Sequence, residues 1–491
     1  MSSIINAATF AFSRGAHCAP LQKDESNMTE QEITLTEILT AREERVAIQN
    51  ALLAEYKAPV ISFTMNIAGP VKVTDLTHRA FLWGMDQLRL GLLQNKMKVL
   101  KEFSRNLPTG DEGYFSVDAP AEQVKTLCVR IEEDDQYLGR FFDMDVIGLN
   151  GCKLERGVER ACIVCGKPGR DCASRRLHTV SELQSATSSN LRSGFLFLDR
   201  AQISALATRA LLEEVAVTPK PGLVDRANSG AHRDMDFFSF QASAAALSAY
   251  WGQCFYENAW RNALRNAPDP GDAQTPAETF AALRPLGMAA ERRMLLATGG
   301  VNTHKGAIFT LGVLCGAIGR LWTAETGFPD VDSILNEAAA MTRETLAQEL
   351  PAARWNTAGE GLYQKYGVRG IRGQVADGLP AVRSVSLPAF RALLARGLDR
   401  NHAASVTLLH LIAAVEDTNL LHRGGPEGAA WARAQARSLL AGSEPPAPEA
   451  IAALDEAFIE RNLSPGGCAD LLAVTLFLDS LEAAGKPSLP G

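Results

Sequence analysis

The sequence predicts two domains of different class: an α/β (α+β) unit at the N-terminus and an all-α unit at the C-terminus. Three observations predict this. The chain has 491 residues, and domains usually run to about 100–200 residues. Before Ser185, β-branched runs and turn residues alternate with helical patterns, whereas after Gly194 one Ala/Leu-rich helical stretch follows another. Between them, SATSSNLRSG (Ser185–Gly194) is small and polar and reads as a linker. The expected layout is a disordered leader over 1–27, a first domain over 28–184, a linker over 185–198 and a second domain over 199–491.

In the first domain, Thr36 to Tyr56 has helical apolar spacing at Ile38, Leu39, Val46, Ile48, Leu52 and Leu53. Pro59 to Ile67 is a strand that ends in the turn Ala68-Gly69-Pro70. Leu76 to Gln94 is a second helix, and Glu122 to Ile131 puts Val124, Leu127, Cys128 and Ile131 on one face of a third. Phe141 to Gly148 is a strand, and Asn150-Gly151 predicts a type I′ hairpin into Cys152–Arg156. In the second domain, Asp199 reads as an N-cap to a helix with Ile203, Leu206, Ala210 and Leu211 on one stripe. Further helices are expected near 236–261, 278–297, 307–322, 331–349, 400–422, 449–461 and 469–484.

Hydrophobic residues make up 46% of the chain and charged residues 21%, which excludes a wholly disordered chain or a fibre. Apolar runs stay short of the roughly 18 residues that span a membrane. The net charge of -7 argues against sequence-independent nucleic-acid binding. Any anionic ligand must therefore be held by local cations and helix N-termini. The nine cysteines are too few for a disulfide scaffold, and five of them fall between Cys128 and Cys172. A cytoplasmic location is expected, because the first residues lack a long apolar signal segment.

The sharpest pattern in the first domain is Gly139-Arg140-Phe141-Phe142-Asp143-Met144-Asp145. Residues two apart on a strand share a face. Asp143 and Asp145 then point one way while Phe142, Met144 and Val146 face the core. Two adjacent carboxylates repel, and a divalent cation relieves that cost, as Mg²⁺ does in phosphoryl and nucleotidyl transfer. Arg140 is placed to bind a phosphate oxygen. The plainer alternative is an edge strand with two solvated aspartates. Cys162, Cys165, Cys172 and His178 offer four soft ligands within 17 residues, a set suited to structural Zn²⁺. Their x6 spacing departs from standard fingers, and four ordinary side chains are the alternative.

In the second domain, Thr218-Pro219-Lys220-Pro221-Gly222-Leu223-Val224-Asp225 closes a helix, and Asn228, His232, Asp234 and Asp236 follow in one loop. An N-cap role explains Asp234 or Asp236 but not the whole set. Gly299-Gly300-Val301-Asn302-Thr303-His304-Lys305-Gly306 leads into a helix, so its backbone N–H groups and Lys305 suit an anion. Gly359 to Gly373, with Lys365, Arg369 and Arg372, reads as a second Gly-rich loop for phosphates. Glu416-Asp417-Thr418-Asn419 lies late in an apolar helix (Val406 to Leu421), where charge is costly unless paired, and Arg423 is one turn on. Asp470 opens the last helix after Ser464-Pro465-Gly466-Gly467-Cys468-Ala469.

Taken together, these segments resemble two known families. TPKPGLVD (218–225), AHRDMD (231–236), GVNTHKGAIF (300–309), EDTN with RGG (416–425) and SPGGCADLL (464–472) resemble triphosphoribosyl-dephospho-CoA synthase across nearly the whole second domain. Cys468 departs from the Ser expected in that pattern. SFTMNIAGPVK (62–72), GRFFDMD (139–145) and the CIVC…C…H run (162–178) resemble apo-citrate lyase phosphoribosyl-dephospho-CoA transferase, the holo-acyl-carrier-protein synthase of citrate lyase.

The resemblance implies a fusion of consecutive steps. The second domain would join ATP to 3′-dephospho-CoA and release adenine. The first would transfer the phosphoribosyl-dephospho-CoA group to a Ser of the citrate lyase acyl carrier subunit and release pyrophosphate. Asp225, Asp234, Asp236, Glu416 and Asp417 are then the candidates for metal and base. Lys220, Lys305, Arg369 and Arg372 are the candidates for phosphates, and Asn228, His232, Asn302, His304, Asn419, Arg423 and Asp470 are further substrate contacts. In the first domain, Asp143 and Asp145 would hold Mg²⁺, and Lys72 and Arg140 would bind phosphates. The D-x-D suggests a nucleotidyltransferase-like fold, although Gly139 sits immediately upstream rather than a helical turn or two away. The alternatives are the same chemistry serving malonate decarboxylase, a helical nucleoside or ADP-ribose hydrolase, and a non-catalytic zinc scaffold that docks the carrier.

Overall fold

The computed structural model describes residues 31–134, 138–157, 159–264, 274–352 and 358–484. The expected leader lies outside them. The first domain holds helix α1 (Leu35–Tyr56), strand β1 (Val60–Met65), helix α2 (Asp75–Gln94), strands β2 (Lys98–Arg105) and β3 (Glu112–Asp118), helix α3 (Ala121–Asp134) and strand β4 (Phe142–Ile147). The strands form one antiparallel sheet in the order β2-β3-β1-β4, so the domain is α+β. Among the described residues of the second domain there is no extended sheet; helix follows helix to Ala484.

Alternation builds the sheet's core. Ile61 and Phe63 of β1, with Phe142, Met144 and Val146 of β4, lie buried under α2 and α3. Phe63 stacks on Phe81 at 5.0 Å and meets Phe142 edge-on at 5.4 Å. Gly84 makes this approach feasible, because a Cβ there would lie 2.4 Å from the Phe63 ring. The opposite face carries Ser62 and Thr64, directly across from Asp145 and Asp143. On that face Leu52 of α1 covers Val60, Tyr114 and Ile147.

The sequence pattern did not reveal β2 and β3. Lys98–Arg105 is largely exposed and charged, and Glu112 breaks the expected apolar alternation. Glu112 is buried because Arg45 (2.9 Å) and the Tyr114 hydroxyl (2.6 Å) satisfy it. Asn150-Gly151 is not a type I′ turn. Only Gly151 has a positive φ, and a single bridge, Ile147 to Lys153, follows.

After a short helix α4 (Gly169–Arg175), helix α5 runs unbroken from Val180 to Ala216. The expected linker is therefore helical. Thr179 and Glu182 close a capping box that starts it. Thr187 and Asn190 donate to carbonyls four residues back, and Leu191 and Phe195 are buried. Asp199 is not an N-cap but a buried mid-helix residue that pairs with Arg79 and Trp322.

The second domain continues with α6 (Phe237–Leu264), α7 (Pro276–Ala297), α8 (Lys305–Leu321), α9 (Val331–Ala352), α10 (Ala358–Tyr366), α11 (Gly370–Ala376), a π turn (Val382–Ser386), α12 (Leu387–Ala395), α13 (Arg400–Ala414), α14 (Thr418–Leu440), α15 (Pro448–Glu460) and α16 (Gly466–Ala484). Two expectations change here. Gly359–Gly373 forms α10 and α11 rather than a loop. The helix expected through Leu421 stops at Ala414, and Asp417 caps a new one. Apolar α8 and α16 cross in the centre, packed by α5, α6 and α13.

Candidate functional sites

The first site lies on β4, an edge strand of the sheet. Asp143 and Asp145 share its open face as the alternation requires, while Phe142 and Met144 are buried. The edge is closed by α3. Lys125 donates to the Met144 carbonyl (3.1 Å), and Glu132 accepts the Met144 N–H (2.7 Å). Lys153 sits 2.5 Å from Asp145. Burial, and then the charge of Asp143, raises the Asp145 pKa above the ordinary carboxylate value.

Arginines that the sequence reading passed over complete this site. Arg160 bridges Glu132 (2.9 Å) and Asp143 (3.3 Å), and Arg156 pairs with Glu132 at 2.6 Å. The predicted Arg140 lies among them, its Nε donating to the Ala161 carbonyl at 2.8 Å. Its pKa is lowered by burial and then by the charges of Arg160 and Arg156. Two carboxylates rimmed by three guanidiniums can hold a metal-bound polyphosphate. No signal in one sequence marked Arg156 and Arg160, which lie 11 or more residues beyond the D-x-D. Lys72 is elsewhere engaged, its ammonium donating to the Ile67 carbonyl at 2.5 Å. Burial lowers its pKa.

Beside this rim, the ligand atoms of Cys162, Cys165, Cys172 and His178 all lie within 4.8 Å of one another. Cys165 Sγ is 3.4 Å from Cys172 Sγ and 3.3 Å from His178 Nε2. A turn through Gly166 (φ 71°) returns the chain, and Cys162 N–H donates to the Lys167 carbonyl at 2.7 Å. Three thiols and an imidazole in this volume fit a tetrahedral soft metal.

The second site gathers where α5, α8 and α16 meet. Lys220, 1% exposed, donates to the Glu214 carboxylate (2.5 Å) and to its carbonyl (2.7 Å). Burial raises Glu214, offset by Lys220. Glu214 was not singled out from sequence, because it reads as one more residue of an amphipathic helix. Asp470 accepts the Ala307 N–H at the start of α8. Its pKa is raised well above the ordinary value by burial, then by the charges of Glu214 and Asp417. Gly306 makes room for it, since a Cβ there would stand 1.9 Å from Asp470 Oδ2. His304 is buried, with Nδ1 2.7 Å from Ser243 Oγ and Nε2 unpartnered. Burial, and then the Lys220 charge, lowers its pKa to about 3, so it is neutral.

Other expected residues shape the surrounding backbone. Asp225 accepts the N–H groups of Lys220, Ala227 and Asn228. Asn228 and the Gly222 N–H both donate to Asp455, which the sequence reading missed. Asp417 accepts from Asn419 and Leu420 at its own helix start and from Cys468 N–H (2.8 Å) at the start of α16. Residue 468 therefore contributes its backbone here, whichever of Ser or Cys it carries. Arg423 donates to His232 Nδ1 (3.1 Å), so His232 Nε2 carries the proton toward Ser464 (2.9 Å). The His232 pKa is lowered by burial and by Arg423.

Other expected residues are exposed or engaged by other groups. Asp236 is an N-cap, accepting the Ser239 N–H, and Asp234 is exposed. Glu416 is 63% exposed, with Arg433 3.7 Å away. Lys305 pairs with Glu291 (3.1 Å), and Asn302 accepts the Lys305 N–H. Arg369 pairs with Asp377. Arg372 lies on α11 and Asn419 is exposed.

An Asp pair rimmed by arginines on a small α+β domain and a buried acid cluster inside a helical domain suit a bifunctional transferase. A model of apo-citrate lyase phosphoribosyl-dephospho-CoA transferase matches residues 33–193, and one of ATP:dephospho-CoA triphosphoribosyl transferase matches residues 200–488. The chain belongs to the ATP:dephospho-CoA triphosphoribosyl transferase family, with an apo-citrate lyase transferase-like domain ahead of it. It is similar to Protein CitXG of Haemophilus influenzae, at 34% identity over 92% of this chain and 97% of that one. Its second part is similar to probable 2-(5''-triphosphoribosyl)-3'-dephosphocoenzyme-A synthases. The Pectobacterium carotovorum protein is 45% identical over 56% of this chain and 88% of its own, and a Vibrio cholerae protein 42% identical over 62% and 96%. The chain functions as a transferase in making and attaching the citrate lyase prosthetic group, which sets aside the hydrolase and scaffold alternatives. No helix among the described residues is long and apolar enough to cross a membrane.

Proposed function

We propose that the second domain uses the 2′-hydroxyl of 3′-dephospho-CoA to attack C1 of the ATP ribose. The C1–N9 bond breaks, adenine leaves, and the triphosphate stays intact. The observation that carries this assignment is Asp470 beside the Glu214–Lys220 pair at the α8 N-terminus. Asp225 and Asp417 are spent on backbone N–H groups and Glu214 on Lys220. Asp470 accepts one backbone N–H, from Ala307, against three each for Asp225 and Asp417, and is the acid assigned to take the hydroxyl proton; its raised pKa makes it the stronger base. His304 Nε2, aimed from a buried neutral ring, is positioned to hydrogen-bond a nucleotide group. Mg²⁺ at the acid cluster would neutralise phosphate charge.

In the first domain, a Ser hydroxyl of the apo acyl carrier subunit attacks the α-phosphorus and pyrophosphate leaves. Asp143 and Asp145 would hold Mg²⁺, which supplies charge neutralisation on the triphosphate. Arg140, Arg156 and Arg160 bind the departing phosphates. A nucleotidyltransferase-like origin for this domain rests on its D-x-D over an antiparallel sheet. The Cys3His cluster would hold one Zn²⁺. A cytoplasmic setting, where thiols stay reduced, suits that site.

The decisive experiment incubates the chain with ATP, Mg²⁺, 3′-dephospho-CoA and the apo-carrier subunit. The carrier's intact mass should rise by one phosphoribosyl-dephospho-CoA group, with adenine released in step. Adenine released without dephospho-CoA, or a carrier of unchanged mass, would overturn the reading.

A further inference from the structure

Two features of the first domain adjoin. Arg160 and Ala161 immediately precede Cys162, the first member of the Cys3His cluster. Their backbone is strapped to the far side of that cluster. The Gly169 N–H donates to the Arg160 carbonyl at 2.9 Å and Ala161 bridges Pro168, while the Arg170 N–H donates to the side-chain carboxylate of the preceding Glu159 at 3.0 Å. On the other side, the same segment organises the arginine rim. The Ala161 carbonyl receives Arg140, and the Arg160 side chain spans Glu132 and Asp143. Arg156 and Arg160 share Glu132, so where the backbone of residues 159–161 sits decides how their guanidiniums, and that of Arg140 on the Ala161 carbonyl, are aimed. The Arg156 Nε is also buried without a partner, a donor left over beside Glu132, which accepts the Met144 N–H of the D-x-D strand.

We infer that the Cys3His cluster is a positioning device for the transfer site: with metal bound, it fixes residues 159–161 so that Arg160 and Arg140 meet the leaving pyrophosphate. This rests on the zinc reading above. A metal cross-link between Cys162 and His178 closes a short loop whose open form has many conformers, so loading narrows where Arg160 can be. Outer contacts of this kind commonly change activity about tenfold to a hundredfold. Arg160 and Arg140 act on substrate, whereas the four metal ligands act only through them. The synthase site in the second domain is outside this linkage.

The test uses the full chain. Elemental analysis first reads zinc per chain. Pyrophosphate binding is then measured by calorimetry on loaded and chelator-stripped protein. The heat lost in Asp143→Asn plus Asp145→Asn marks the first-domain site. Loaded protein should bind pyrophosphate about tenfold more tightly than stripped protein, and in Arg160→Ala that difference should shrink, since Arg140 alone still transmits it. His178→Cys, which keeps four ligands, should retain both zinc and affinity. Equal affinity in loaded and stripped wild type, or an undiminished metal effect in Arg160→Ala, overturns the inference while leaving the zinc reading intact. Absence of zinc overturns the zinc reading itself. Should stripping unfold the chain, cobalt(II) replaces zinc. Pyrophosphate should then perturb the thiolate–cobalt absorption in wild type and less so in Arg160→Ala, and an unmoved spectrum overturns the inference.

Discussion

Arg79 places its guanidinium 2.7 Å from Asp199, a carboxylate that is 3% exposed in the middle of α5. The same guanidinium donates to the Ala324 carbonyl at 2.8 Å and covers the Phe195 ring at 4.0 Å, while Trp322 donates to Asp199 at 2.6 Å. One ion pair thus ties α2 of the first domain to α5 and the end of α8. Arg79→Ala should cost about 3–5 kcal/mol, because it strands a buried charge. Chemical denaturation checks this, and a loss under about 1 kcal/mol would mean that water reaches Asp199.

Asp143→Asn plus Asp145→Asn should abolish mass addition to the carrier and leave adenine release within about twofold of wild type, since the two sites sit on separate domains. Loss of both activities would mean that the steps are assigned to the wrong domains.

Asp470→Asn should lower adenine release by at least about a hundredfold, the usual scale of a lost general base. Attachment of pre-made triphosphoribosyl-dephospho-CoA should persist. Gly306→Ala should act in the same direction, because its Cβ would occupy space held by Asp470. Normal turnover in both variants would remove Asp470 from the mechanism.

His304 sets a pH dependence. Its folded pKa of about 3 lies below the ordinary value of 6.5, so the unfolded chain binds the proton first. Stability is therefore full above about pH 6.5 and falls toward pH 3, by up to about 1.4 kcal/mol per pH unit. His232 and His410 are shifted in the same direction. Denaturant titrations at several pH values should show a shallower slope in His304→Gln than in wild type. An unchanged slope would mean that His304 titrates normally.

How much was legible varied by element. The helices with strong apolar stripes and the β4 strand followed from periodicity within a few residues, because each buries a face that its own pattern declares. The polar stretch Ser185–Gly194 misled because Ser, Thr and Asn weaken a helix only when it lacks tertiary support. Here a capping box and buried Leu191 and Phe195 supply that support. Asp417 was conspicuous as a charge in an apolar run, yet its role as a cap for two helix starts depends on α16 arriving beside it.

By itself the sequence determined the two-part layout, the shared face of Asp143 and Asp145, and the close grouping of Cys162, Cys165, Cys172 and His178, because strand alternation and short-range spacing are local properties. The tertiary structure alone decided which acids remain available. Asp225 and Asp417 each accept three backbone N–H groups, Glu214 is paired with Lys220, and Asp470 accepts one N–H at the α8 N-terminus. It likewise brought Arg160 to Asp143, Arg156 to Glu132 behind that strand, and Arg79 to Asp199. Long-range pairing of charge depends on which surfaces pack together, and no spacing within one chain encodes that.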